Sequence, residues 1–322
     1  MLLAGCGGGW QSALDPKGPG AAELAWLIWG FTGILGAIWL AVLAAVAVTI
    51  WKRRIGRSPL GPREAGERRG VVIVTTLTVL TALVVLTLSG LSFVVQRRLY
   101  AADTGAVTIR AVGYQWWWEF DYEDGDPART FTTANEIHVP VGVPVKLLLQ
   151  SDDVIHSFWV PNLIGKQDMI PGQTNELVVT AGHPGTYRGQ CAEFCGLQHA
   201  HMGLIVVAED PASFEAWQAR QRRPAASPST PEQRLGQDVF LQQACIMCHA
   251  IRGTPAISRE GPDLTHVGSR LQIAAATLPL SRGSLAAWIA DPHGIKPGVH
   301  MPAIPLESDE LNAVAAYLEG LD

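Results

Sequence analysis

Residues 191–202 read Cys-Ala-Glu-Phe-Cys-Gly-Leu-Gln-His-Ala-His-Met, placing two thiols, an imidazole and a thioether at intervals of four, four and three. Thiolate, imidazole and thioether donors on one short loop favour copper over harder metals. A single-copper electron-transfer site needs only one cysteine, whereas Cys191 and Cys195 together can bridge two ions, with His199 and Met202 in outer positions. The loop offers one histidine at suitable spacing, so a second must come from elsewhere, and His156 in Asp-Val-Ile-His-Ser-Phe (153–158) is the candidate. Two plainer readings compete. A disulfide would account for the cysteines but leaves His199 and Met202 without a purpose. A structural zinc site would use Cys191, Cys195, His199 and a further ligand. His201, two residues beyond His199, reads as an ordinary surface or core histidine.

Cys245-Ile246-Met247-Cys248-His249 has the Cys-x-x-Cys-His spacing of covalent haem attachment. The two thiols add to the haem vinyl groups, and the neighbouring imidazole is thereby held against the iron. Met301, in Val-His-Met-Pro-Ala (299–303), is the expected sixth ligand. A His/Met pair raises the potential and closes the iron to oxygen, which suits electron transfer. His300, His266 and His293 compete for that position, while Met247 is trapped inside the attachment loop. A redox dithiol is the plainer alternative. Both centres move single electrons and neither leaves a position open for substrate, so no residue of this chain is expected to be catalytic in its own right.

Cys-x-Glu-x-Cys-x3-His-x2-Met resembles the binuclear copper (CuA) motif of subunit II of haem-copper oxidases. The resemblance implies that Cys191 and Cys195 bridge two coppers, that His156 and His199 are terminal ligands, and that Met202 and the Glu193 carbonyl are weak ligands. It also implies that the Glu193 side chain helps hold a magnesium ion at the border with subunit I. Gly113-Tyr114-Gln115-Trp116 matches a stretch whose tryptophan lies on the surface near the copper and receives electrons, so Trp116 inherits that role. Strand alternation would put Trp116 and Trp118 on one face and Trp117 on the other, so part of this run is ordinary core. Gly261-Pro262-Asp263-Leu264 resembles the segment that packs beside the haem histidine in class I cytochromes c. With the haem motif on the same chain, the resemblance is to subunit II of caa3-type cytochrome c oxidases. This implies electron flow from cytochrome c or an upstream respiratory complex, through haem c and CuA, to haem in subunit I. Reduction of oxygen to water and proton pumping would occur in the partner subunits. A copper-containing nitric oxide reductase or a stand-alone membrane-anchored carrier is the alternative; the second is disfavoured by Glu193, whose metal role needs another chain. Many members of that family carry a glutamate near the start of the second transmembrane helix, at the mouth of a proton channel in subunit I. Here Arg68-Arg69-Gly70-Val71 occupies that region, Glu67 or Glu64 could substitute only with a shift, and no proton-path residue is assigned.

These sites need an anchor and two scaffolds. Residues 24–51 and 71–95 carry no charge, and each is long enough as a helix to cross a hydrocarbon core of about 30 Å. Between them lie Lys52, Arg53, Arg54, Arg57, Arg63, Arg68 and Arg69 against Glu64 and Glu67. The positive-inside rule puts that loop in the cytoplasm and both chain ends outside. Leu3-Ala4-Gly5-Cys6 resembles a lipoprotein cleavage box that would lipidate Cys6; the five residues before it are too short for a signal peptide, so an unmodified Cys6 is the alternative. Residues 106–208 hold short β-rich segments separated by Gly, Pro, Asn and Asp turns, which predicts a Greek-key β-sandwich; the resemblance makes it a cupredoxin, with His156 and the cysteine loop on connections at one end. Asp210-Pro211 opens a helix, residues 224–229 read as a linker, and Thr230 and Gln233 form a capping box. Helices are expected over 284–290 and 308–319.

The expectation is a multidomain membrane protein. A leader (1–23) precedes a two-helix transmembrane hairpin (24–98), followed by a CuA cupredoxin (99–210), a helix and linker (211–230) and an all-α class I cytochrome c domain (231–322). Its place would be the bacterial cytoplasmic membrane, multi-pass, with the copper and haem domains on the periplasmic side. Residues 1–98 hold ten Lys and Arg against four Asp and Glu, while the remaining 224 hold fourteen against twenty-five. An acidic outer portion suits a basic redox donor and does not suit nucleic acid.

Overall fold

A computed structural model describes residues 9–56, 63–100 and 107–322. The chain divides into two compact units, Met1–Ala22 with Ala102–Asp322, and Glu23–Ala101. Cys6 and Arg57 lie outside the described residues.

The two uncharged runs fall inside α1 (Pro19–Arg54) and α2 (Arg63–Tyr100), helices of 36 and 38 residues. Their large apolar side chains, among them Trp29, Leu40, Val72 and Leu86, are exposed rather than packed into protein. Such a surface is unfavourable in water and suited to lipid, where the helix satisfies its own backbone. The hydroxyls of Thr32, Thr49 and Thr78 donate to the carbonyls of Ile28, Ala45 and Val74 at 2.7, 2.8 and 2.9 Å. Each bond reaches four residues back, so these polar groups are also satisfied within the helix. Arg98 Nη1 lies 3.9 Å from Glu23 Oε1, an exposed ion pair between the two helices.

The β portion is a sandwich of two sheets. One contains β1 (Val107–Tyr114), β2 (Trp117–Glu123), β3 (Phe131–Ala134), β5 (Val145–Ser151) and β8 (Asn175–Val179), in the order β3-β2-β1-β5-β8. The other is β4-β10-β9, formed by β4 (Glu136–Pro140), β9 (Gly185–Gln190) and β10 (Gly203–Glu209). β5 shows the period of two expected of a half-buried strand, turning Val145, Leu147 and Leu149 inward. The β1–β5 and β4–β10 pairs are parallel, a long-range choice that segment patterning does not contain. A short ribbon of β6 (His156–Phe158) and β7 (Gln167–Met169) carries His156, which therefore begins a strand instead of lying on a connection. Residues 10–17, expected as leader, are stitched to the sandwich: Arg188 N donates to the Trp10 carbonyl at 2.8 Å, and Lys17 N to that of Asn162 at 2.7 Å.

α3 (Pro211–Gln221) is capped by Asp210, whose carboxylate accepts from Ala212 N and Ser213 N at 3.1 and 3.0 Å. It lays Trp217 on His138, ring centroids 4.1 Å apart. The linker that follows is tied down as well, with Ala225 N donating to the Arg252 carbonyl at 2.9 Å. The C-terminal portion packs α4 (Pro231–Gln242), α5 (Arg282–Ala290), α6 (Pro292–Ile295) and α7 (Ser308–Glu319), with a two-stranded ribbon of β11 (Gln272–Ile273) and β12 (Leu278–Pro279). The capping box at Thr230 and Gln233 is present. α4 crosses α7 at Gly236, where an added Cβ would overlap the Ala313 carbonyl; Phe240 meets Tyr317 edge to face there, centroids 6.2 Å apart.

Candidate copper and haem sites

The loop between β9 and β10 brings both thiols under the sandwich end that carries β6. Cys191 Sγ and Cys195 Sγ are 3.8 Å apart and buried. His156 Nδ1 lies 3.8 Å from Cys191 Sγ, while His199 Nδ1 lies 3.5 Å and Met202 Sδ 3.8 Å from Cys195 Sγ. The Glu193 carbonyl oxygen is 3.2 Å from Cys191 Sγ. All six donors expected from the sequence thus converge, though His156 is 35 residues from its cysteine. The separated thiols exclude a disulfide in this arrangement. Two sulfurs flanked on opposite sides by an imidazole each, with a thioether, fit a bridged pair of soft ions better than one tetrahedral zinc. His201 takes no part; its Nδ1 is hydrogen-bonded to Gln198 Oε1 at 2.8 Å.

The electrostatics favour metal uptake. The Cys191 thiol is drawn down to about 4, first by the hydrogen bond from Cys195 and then, against burial, by His156. The Cys195 thiol is pushed up by the Cys191 thiolate and by burial. The pair thus favours ionisation of Cys191 over Cys195, the direction that metal uptake needs.

Residues not singled out in the sequence hold this set in place. Asp153 Oδ1 accepts from His156 Nε2 at 2.8 Å, which turns Nδ1 toward the sulfurs. Its other oxygen accepts from Gln115 N at 2.6 Å. Burial alone would raise the Asp153 carboxyl, but the bonds from His156, Val154 N and Gln115 N outweigh it and hold the acid low. Asp-x-x-His spacing was the available signal. Gln190 Nε2 reaches the His199 carbonyl at 3.1 Å. Gly113 is needed for close approach, because a Cβ there would stand 2.9 Å from His156 Cδ2.

Trp116 is 6% exposed, not the open surface residue that the resemblance implies. Its Nε1 donates to the Cys195 carbonyl at 2.9 Å, and Gln115 Nε2 donates to the same oxygen at 2.7 Å. Trp117 stacks on Tyr114 at 4.6 Å, and Trp118 is fully buried core. The Glu193 side chain points away from the sulfurs, half-exposed, with Lys166 Nζ at 3.7 Å.

At the second site, Cys245 and Met301 both pack against one apolar cluster that includes Phe240, Ile251, Leu285, Val314 and Leu318. His249 Nδ1 donates to the Pro262 carbonyl at 2.8 Å, leaving Nε2 for iron. Burial lowers the His249 pKa despite that bond, a shift toward the neutral ring that metal ligation requires. Arg270 is 8% exposed; its Nη2 reaches the Asp263 carbonyl at 2.5 Å, while Nε has no partner among the described residues. That orphaned buried donor matches a haem carboxylate, and the site fits haem c. His266 is removed as a rival to Met301, since its two nitrogens face the carbonyls of Asp322 and Arg223 at 2.8 and 3.0 Å.

Both portions are similar to known proteins. Residues 124–209 match the family described as cytochrome c oxidase subunit II, periplasmic domain, and residues 233–322 match the cytochrome c family. Cytochrome c oxidase subunit 2 of Alkalihalophilus pseudofirmus is 34% identical over 335 residues, covering 100% of this chain and 94% of the relative. The Bacillus subtilis protein of that name is 28% identical over 343 residues, with 100% and 94% covered. The crystal structure of the periplasmic domain of subunit II of cytochrome oxidase from Bradyrhizobium japonicum is 30% identical, covering 37% of this chain and 96% of that one, with a TM-score of 0.35.

Proposed function

Because the chain belongs to the cytochrome c oxidase subunit 2 family, we propose that Cys191, Cys195, His156, His199, Met202 and the Glu193 carbonyl hold its binuclear copper. Cys245 and Cys248 would bind haem covalently, with His249 and Met301 as axial ligands. The family makes the chain a membrane-anchored electron-transfer subunit of an oxidoreductase complex, working with copper, haem c and other oxidase subunits. The observation that carries the residue assignment is the convergence of the six donors on one pair of sulfurs.

When bound, the two groups supply one-electron carriers in series, from a donor such as cytochrome c or an upstream respiratory complex to haem in subunit I, as in a caa3-type oxidase. The protein's part is positional. Asp153 and the Pro262 carbonyl fix the two histidine rings by their outer nitrogens, so that little moves when charge changes. Burial of Cys191, Cys195 and Met202 keeps water from the sulfurs. Glu193 would share a magnesium ion with subunit I by exchanging its Lys166 partner for the metal. Reduction of oxygen with proton pumping would take place in the partner subunits. The exposed apolar helices support a bilayer-spanning hairpin in the cytoplasmic membrane, with residues 107–322 on the periplasmic side.

The test is metal and haem content of the full chain in detergent, with its electron paramagnetic resonance spectrum. Two coppers per haem and one spin shared by both nuclei are expected. A single localised copper, or zinc, would overturn the assignment of Cys191 and Cys195.

A further inference from the structure

The haem-bearing portion is seated on the copper loop through several direct contacts, two of which reach Trp116. Lys296, 2% exposed, reaches across to donate from Nζ to the Trp116 carbonyl at 3.0 Å and to the Ala274 carbonyl at 3.2 Å. Gln198, inside the metal-binding loop, donates to the Pro297 carbonyl at 2.7 Å. Gly203 N donates to the Ala275 carbonyl at 3.0 Å, and Arg188 Nη1 to that of Ala276 at 2.8 Å. Ala274, Ala275 and Ala276 all have φ between 53° and 57°. Three successive left-handed alanines are costly, and they persist because these crossing bonds over-determine the segment.

The outcome is a direct ring contact. His300, next in sequence to the expected iron ligand Met301, lies against Trp116 with centroids 5.7 Å apart and planes inclined by 49°. Trp116 in turn is hydrogen-bonded through Nε1 to the carbonyl of Cys195. The geometry points to His300 as the residue that positions the crossing between the two centres, by holding an aromatic contact from the haem-ligand loop onto Trp116 and hence onto the Cys195 backbone. This rests on the ligand assignment proposed above. With both groups bound, one electron would pass from the haem that His249 would ligate, oxidising it, to the copper pair that Cys191 and Cys195 would hold, reducing it. No bond is made or broken, and no proton has to move. Packed rings provide a continuous path where a gap or a water would interrupt it. An external donor does not touch Trp116, because the haem-bearing portion covers it; donors deliver to the haem instead.

Lys296 supports the arrangement. Burial lowers its pKa to about 7, against a raising influence from Cys195, yet the amine is retained at the contact, bonded to the Trp116 carbonyl. Its role is to fix the tryptophan backbone under His300.

The experiment uses the assembled oxidase carrying the full-length chain. A flash-excited ruthenium polypyridyl complex reduces the haem, and haem reoxidation is followed optically. His300→Leu is expected to slow reoxidation about tenfold, equivalent to about 1.4 kcal/mol of barrier, while leaving the initial haem reduction unchanged. His300→Phe, which restores a ring, should recover most of the rate. Hydrogen exchange of the amides at 115–118 provides the second readout and should be unchanged in both variants. An unchanged rate in His300→Leu overturns the inference. Slowing that tracks loss of amide protection also overturns it, since His300 would then act by holding the portions together and not by ring contact. Intact copper and haem spectra in these variants confine either failure to His300; absence of a spectrum in the unmodified protein would sink the ligand assignment first.

Discussion

At the scale of single residues, the metal-binding set depends on a partner that is not itself a ligand. Asp153 holds His156 by Nε2 and Gln115 by its backbone amide, so one carboxylate fixes both the proposed ligand and the approach to Trp116. Asp153→Ala is expected to leave the fold intact and weaken copper binding about 10–100-fold, the usual cost of losing an outer-shell partner; competition titration with a copper chelator reads it directly. Asp153→Asn, which keeps an acceptor oxygen, should lose less. Equal affinity in wild type and Asp153→Ala would show that the ring is held by packing against Gly113 and Trp118 alone.

At the scale of elements, two junctions depend on close approach or on buried charge. α4 and α7 approach so closely at Gly236 that Gly236→Val must part them, since the space a side chain needs is filled by the Ala313 backbone. Overpacking of this kind costs about 1–3 kcal/mol, and thermal unfolding of the haem-bearing portion, followed by the haem absorbance, should show it. The other junction is β4 with β10 beneath α3. His138 Nδ1 contacts Glu209 at 2.7 Å and its Nε2 lies 3.4 Å from Glu136, whose other oxygen accepts from Leu271 N at 2.8 Å. Burial opposes protonation of His138, but the two carboxylates outweigh it and the pKa is raised. A raised histidine contributes stability that is fully present below its unfolded value of about 6.5 and lost as pH rises through the folded value. His138→Gln should therefore flatten the fall in melting temperature on the alkaline side of that value. A parallel slope in both proteins would assign the pH dependence to another group.

At the scale of the whole molecule, the copper-loop and haem-motif segments lie within one compact unit. Besides Lys296 and Gln198, Arg259 reaches from the haem segment to Glu119 at 2.7 Å and Asp121 at 3.2 Å, with Arg110 also on Asp121. Those carboxylates are 3% exposed, so removing the arginine charge would leave them buried and less compensated. Arg259→Glu sets a third negative charge against them. Faster hydrogen exchange is expected in residues 115–121 and 295–300, together with greater salt sensitivity, while copper content stays unchanged. Unaltered exchange would show that the backbone bonds to Ala274, Ala275 and Ala276 suffice to hold the segments.

Much of this chemistry was legible in the chain itself. The Cys191–Met202 loop and the Cys245–His249 motif are local, their donors separated by a few residues, and spacing alone brings such donors together. The helices of the hairpin and the caps at Asp210 and Thr230 are local for the same reason. His156 could be nominated only by residue type; folding of β6 beside the cysteine loop is what put it 3.8 Å from Cys191. The parallel pairings were beyond reach, since Ile205 of β10 pairs with Glu136 of β4 and Val107 of β1 with Val145 of β5, partners far along the chain that no strand's own pattern names. The burial of Trp116 belongs to the same class. Its sequence surroundings suit an exposed aromatic, but residues 180 positions later close over it through Lys296 and His300. Short-range spacing determines which atoms can bind metal and haem. Only tertiary structure decides how the two sites face each other, because long-range packing costs loop-closure entropy that no local pattern records.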